Sequence, residues 1–332
     1  MAQVAFGFGV ASSAGVGRPV GTVGHDGHSV HRDTGSSVIP VSENASTVET
    51  EARATPAPLD GAVNAAADKA ILKKAGLFAD DPLRYSVRAI LAGVYLTLGT
   101  AFAVVAGNAV EGVAPGLGAV VFGMCFFVGL AMILQVGAEL ATGTMMFMVF
   151  GVVRGHVSWL RAAGIILWTV VLNLVGAIIV AVMLGQSGKL GGLGADHLLA
   201  TLSDGKLNKG PWGIFLEAIL ANFLVNVAIV GGLIMKDYAG KFLFTQFVIG
   251  AFVVLGLEHL IANFSLFMLS LFCLGDGFMD GGAVLDSLTW SNVLDNWGMA
   301  LLGNIVGGGL LVGGVYAWLN QGKSKGAQLY RD

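Results

Sequence analysis

Two short segments of this chain set ionisable and hydrogen-bonding side chains into otherwise apolar surroundings. In Gly137-Ala138-Glu139-Leu140-Ala141-Thr142-Gly143, two glycines bracket a carboxylate and a hydroxyl. In Gly256-Leu257-Glu258-His259-Leu260-Ile261-Ala262-Asn263, a carboxylate, an imidazole and an amide follow a glycine. Both segments open with Gly-x-Glu. A histidine can donate, accept or relay a proton near neutral pH. In a soluble core it is often simply satisfied by its neighbours, but beside a glutamate in an apolar span it marks a functional site. Glu139 and Glu258 are expected to accept hydrogen bonds from loop amides and hold their segments in shape. Thr142 suits two roles that can coexist, capping the helix that follows it and offering its hydroxyl to a passing solute.

Glu258 and His259 would also suit an acid/base pair inside an enzyme. That chemistry needs a nucleophile, a metal triad or a cofactor motif beside it, and the chain has no His-Glu-x-x-His, Gly-x-Ser-x-Gly or Gly-x-Gly-x-x-Gly in a supporting context. The chain is therefore expected to be no enzyme and to carry no cofactor. Cys125 and Cys273 lie in apolar runs with no second thiol or histidine at ligand spacing, so neither a disulfide framework nor a metal site is expected. His25, His28 and His31 are spaced like a metal-binding tract, but they sit in a polar, Gly- and Ser-rich stretch where such spacing is commonly incidental.

Composition names the solvent. Of 332 residues, 55% are hydrophobic and 12% charged, against about a quarter charged in a soluble domain. The mean hydropathy is +0.78. The net charge of −3 and the lack of a basic stripe exclude nucleic acid as a partner. Residues 1–58 have no sustained period and read as a disordered tail without a signal peptide. Residues 59–80 form an amphipathic helix, with Val63, Ala66, Ala67, Ala70, Ile71 and Leu77 opposite Asp68, Lys69, Lys73 and Lys74. Two placements fit it: flat on the membrane surface, or packed on the mouth of the bundle. A membrane-spanning domain follows over 81–321, and 322–332 is a tail.

Six apolar spans are expected, at Tyr85–Gly107, Pro115–Gly151, Leu160–Leu184, Trp212–Met235, Phe242–Cys273 and Val293–Leu319, each long enough for a hydrocarbon core roughly 30 Å thick. Arg84, Arg88, Arg154, Arg161, Lys236, Lys241, Lys323 and Lys325 flank one side, against Lys189, Lys206 and Lys209 on the other. That bias places both termini in the cytoplasm. At about 1.5 Å per residue the second and fifth spans are too long for one straight helix, and each must break at its Gly-x-Glu segment. Two broken helices, second of three and fifth of six, are the mark of an inverted repeat with a site at the midplane. Non-helical backbone at that depth must line a cavity or be buried in protein, so the breaks point inward.

The two break segments resemble the two signature loops of the formate/nitrite transporter family. Pro82-Leu83-Arg84, Asn222-Phe223-Leu224-Val225 and Gly303-Asn304-Ile305-Val306-Gly307-Gly308-Gly309 are similar to further motifs of that family, in order, over roughly residues 60–320. The resemblance implies an all-α membrane protein with an aquaporin-like inverted 3+3 repeat and six transmembrane helices, the second and fifth broken. It also implies a homopentamer with one pore per protomer. The family's central histidine falls on His259, its pore threonine on Thr142, its polar asparagines on Asn222 and Asn263, and its vestibule lysine on Lys206. Its apolar constrictions match Phe126, Leu130 and Phe252, with Leu140 nearby. The chain departs from the pattern at Ala141, where the family usually has an aromatic, at Asn226 and Val230, where it usually has Cys and Trp, and at Glu217, where it often shows a basic residue.

The resemblance implies a plasma-membrane channel for a small monovalent acid anion such as formate or nitrite, with protons as co-substrate and the bilayer as solvent. A bare anion at the bilayer centre is costly and the neutral acid is not, so one imidazole between greasy constrictions favours the protonated species. A pore for a neutral solute such as hydrogen sulfide, water or glycerol shares the architecture, although no Asn-Pro-Ala pair is present.

Overall fold

A computed structural model describes residues 61–321; the expected tails 1–58 and 322–332, with His25, His28, His31, Lys323 and Lys325, lie outside the described residues. Within them the chain is all-helical: α1 (Ala62–Asp80), α2 (Pro82–Glu111), α3 (Leu117–Val136), α4 (Ala141–Val153), α5 (Trp159–Gly185), α6 (Leu198–Leu207), α7 (Pro211–Ile234), α8 (Tyr238–Val254), α9 (Leu260–Cys273), the single turn α10 (Gly281–Val284), α11 (Trp290–Asn304), a π-helical stretch Ile305–Gly314, and α12 (Val315–Leu319). Five helices are long and apolar enough to cross a membrane: α2, α3, α5, α7 and the continuous run Trp290–Leu319. α4, α8 and α9 are shorter apolar helices.

The order reads as the same four parts twice. A lead helix (α1, α6) precedes a helix that starts on proline (α2 at Pro82, α7 at Pro211), where the missing N–H costs nothing. Next comes an interrupted pair (α3 and α4, α8 and α9), then a long helix (α5, α11 with its continuation). Each interruption begins at a glycine in the left-handed region, Gly137 at φ 70° and Gly256 at φ 69°, which costs a residue with a Cβ about 1–2 kcal/mol. The next amide reaches back across the turn in both halves, Ala138 N to Ile133 O at 3.0 Å and Leu257 N to Phe252 O at 3.2 Å.

One asparagine from each long helix then holds the exposed backbone. Asn173 accepts from Ala141 N (2.9 Å) and donates to Glu139 O (3.0 Å) and Ala89 O (2.7 Å). Asn304 accepts from Leu260 N (2.9 Å) and donates to Glu258 O (3.0 Å) and Ala218 O (2.8 Å). Buried amides left unpaired cost roughly 1–3 kcal/mol each, so these two side chains make the breaks tolerable. The long helices lie close enough to reach because of Gly176 and Gly307. A Cβ on Gly176 would sit 2.1 Å from Ile90 O, and one on Gly307 2.0 Å from Ile219 O. Small residues allow such approach where lipid offers no hydrophobic drive.

The lead helix α1 buries Asn64, Ala67, Ile71 and Ala75 against the bundle and packs on α2, α4 and α7. Asp68 receives Arg154 Nη2 at 2.6 Å and His156 Nε2 at 3.0 Å, from the end of α4 and the turn after it. Burial pushes the Asp68 carboxyl up, but its hydrogen bonds and charge contacts with Arg154 and His156 outweigh that and hold it below the ordinary carboxylate value.

Candidate functional site

His259 is the last residue before α9, and its position there gives its ring two bonds. Nδ1 accepts from Ala262 N at 3.1 Å, capping the helix, and Nε2 lies 2.8 Å from Thr142 Oγ1 at the start of α4. A ring nitrogen that accepts an amide proton carries none itself, so the neutral imidazole holds its proton on Nε2 and donates it to Thr142. His259 and Thr142, which the sequence placed in different halves, thus meet where the two short helices α4 and α9 begin. The Thr142 carbonyl is held in turn by Asn222 Nδ2 and Asn226 Nδ2, both at 3.3 Å. Asn222 also takes the Asn304 carbonyl at 2.7 Å. It is fully buried and supports the threonine's backbone. Gly308 in the π-helical stretch makes room for this pair, since a Cβ there would sit 2.2 Å from Asn222 Nδ2 and 2.3 Å from Asn226 Nδ2.

Around His259 the expected constriction residues converge. Phe126, Leu130, Leu140 and Phe252 line, with Leu96, Val225 and Ile249, a space of about 10 Å³ against the imidazole, at the lower limit of what one water occupies. Phe126 and Phe252 meet edge to face, with ring centroids 6.1 Å apart, and Phe252 lies 5.7 Å from the imidazole. The same two phenylalanines wall a second cavity of about 100 Å³ that Lys206 and Asn263 also line. On the α1 side a third cavity, of about 450 Å³, is bordered by Lys73, Lys74, Glu139 and Lys241. Leu140 follows Glu139 and separates it from the space at His259. The space at His259 is thus walled by apolar side chains, and lysines border the two larger cavities.

Among the described residues the carboxylates of the two glutamates hold lysines, and asparagines take the loop amides that the glutamates were expected to bind. Glu258 is fully buried. Its Oε1 receives Lys206 Nζ at 3.0 Å and Lys209 Nζ at 2.7 Å, and its Oε2 receives Asn263 Nδ2 at 2.6 Å and Asn296 Nδ2 at 3.2 Å. A buried carboxylate is tolerable only with such full pairing. Burial lowers the pKa of the Lys206 ammonium against the pull of Glu258. Lys209 is partly buried too, yet Glu258 and Glu217 outweigh that and hold its pKa above the ordinary lysine value. In the first half Glu139 binds Lys74 from α1.

Sequence reading missed Asn173, Asn304, Lys74 and Lys209 as parts of the site. Asn173 and Asn304 are polar residues inside apolar spans, which was signal enough to suspect a buried role. Lys74 and Lys209 look like ordinary solvated lysines, and only the fold shows what they meet.

A sequence model of the formate/nitrite transporter family matches residues 61–318. The chain is 34% identical over 253 residues to a probable formate transporter of Methanothermobacter thermautotrophicus, covering 69% of this chain and 86% of that one. Among solved structures, an FNT family ion channel superposes with a TM-score of 0.70 at 29% identity, over 78% of this chain and 99% of the other. A pentameric formate channel with formate bound shares the fold, with a TM-score of 0.58 at 22% identity over 71% and 96%. Fold and sequence thus agree, and the chain belongs to the formate/nitrite transporter family, as a multi-pass membrane transporter and not an enzyme.

Proposed function

We propose that the protein passes a small monovalent acid anion, formate or nitrite in kind, through a pore in each protomer, with His259 supplying a hydrogen bond or proton at the pinch. The observation that carries this is the His259–Thr142 pair set in an apolar constriction between two lysine-bearing vestibules. Lysines at both mouths favour anions and disfavour cations. The apolar pinch disfavours any bare charge, so the anion crosses as its conjugate acid, and flux rises with proton supply.

In this reading α8 and α9 together make the fifth of six crossings. The lysine and arginine bias puts both termini and the α1 vestibule in the cytoplasm, and Lys206 at the outer mouth. The protein sits in the plasma membrane as a homopentamer, by analogy with the pentameric relative. The test is uptake of labelled formate and nitrite into proteoliposomes at two pH values, with an ionophore control. Uptake of either that grows as pH falls is expected. Glycerol or water permeation without anion uptake would point to a neutral-solute pore and overturn the proposal.

A further inference from the structure

The two halves hold the first carbonyl of each break with a cation, but by different means. In the first half Arg88, the residue before Ala89, donates from Nη1 to Gly137 O at 2.7 Å. In the second half Gly256 O receives Lys209 Nζ at 2.8 Å. Lys209 comes from the segment between α6 and α7. Asn173 and Asn304 take Ala89 O and Ala218 O in the same way, so the position corresponding to Arg88 is the residue before Ala218. That residue is Glu217, and it binds the Lys209 ammonium.

We infer that Glu217 and Lys209 together do in the second half what Arg88 does alone in the first. Lys209 is a positioning residue that clamps the Gly256 carbonyl and one oxygen of Glu258, and Glu217 orients Lys209. The charge reversal at Glu217 is thereby compensated by the lysine eight residues before it. The Glu258–His259 segment depends on the clamp, because His259 follows directly on the carboxylate that Lys209 grips. The consequence for transport rests on the function proposed above; the clamp itself does not.

A double-mutant cycle tests this. Lys209→Gln removes the cation and should lower proton-dependent formate uptake about tenfold, the size of coupling expected between contacting charges. Lys209→Arg keeps the cation and should stay near wild type. Glu217→Arg alone sets two cations against one carbonyl and should also lower uptake. Glu217→Arg combined with Lys209→Gln rebuilds the arrangement of the first half and should recover most of the loss. The same cycle is read as thermal stability of the purified protein in detergent, so it remains decisive if wild type carries neither formate nor nitrite. A double variant no better than Lys209→Gln in both readouts would overturn the inference.

Discussion

The first break, Gly137–Leu140, and the second, Gly256–His259, leave their helices through the same left-handed glycine and are held by equivalent asparagines. At the last position before the following helix the first carries Leu140 and the second His259. The leucine gives α4 no side-chain cap, and Asn173 alone satisfies the Ala141 amide there. The imidazole caps α9 and still reaches Thr142 of the other half. A symmetric scaffold therefore fixes two turns, and one asymmetric residue sets an imidazole beside Thr142. The lesson is a division of labour: glycines, prolines and asparagines repeat because the backbone geometry repeats, whereas the imidazole does not.

The comparison is broken most severely at the glycines that bring the long helices together. Gly176→Ala and Gly307→Ala each drive a methyl group into a backbone carbonyl, which cannot swing aside as a side chain would. Each should cost about 3 kcal/mol or more, seen as loss of monodisperse protein on gel filtration. If one is tolerated and the other is not, the two halves are not equivalent in packing.

The next effect sharpens the contrast between the two ends of the pinch. Phe126 and Phe252 line both the Lys206 cavity and the space at His259, and Leu140 lines the latter. Trimming both phenylalanines to Ala should raise leak of larger monocarboxylates such as lactate several-fold, since each truncation leaves a void in the narrowest part. Leu140→Ala should do less. Unchanged selectivity in flux assays would make the two rings core packing.

The smallest effect concerns α1, which adds Lys74 to the first break. Asp68→Asn removes its ion pair with Arg154 and His156 and should cost about 1 kcal/mol, measured as a lowered thermal midpoint. Because the folded-state pKa of Asp68 is depressed, its contribution is complete above the ordinary value of 3.8 and is lost as pH falls through the lower folded value. The wild-type and variant midpoints should therefore converge in strong acid.

Much of this was legible in the sequence. The apolar spans, the paired Gly-x-Glu segments and the histidine in the second of them follow from periodicity and from the expense of polar groups in lipid. Lys74 was not legible as a partner of Glu139, because a lysine on the polar face of an amphipathic helix is ordinarily solvated. Asn222 reads as a polar residue of the pathway, and its bonds to Thr142 O and Asn304 O could not be read from the sequence because they join distant helices. The π-helical stretch was hidden for a related reason: three successive glycines announce close packing, not which amides will occupy the space they leave.

His259→Asn tests the asymmetry itself. Asparagine can still cap α9 but is too short to reach Thr142, so folding and oligomer size in detergent should match wild type. Proteoliposome uptake of labelled formate or nitrite should then fall sharply or lose its rise at low pH. Retention of both the wild-type rate and its pH profile would show that His259 serves only as a helix cap, and would contradict the mechanism at its centre.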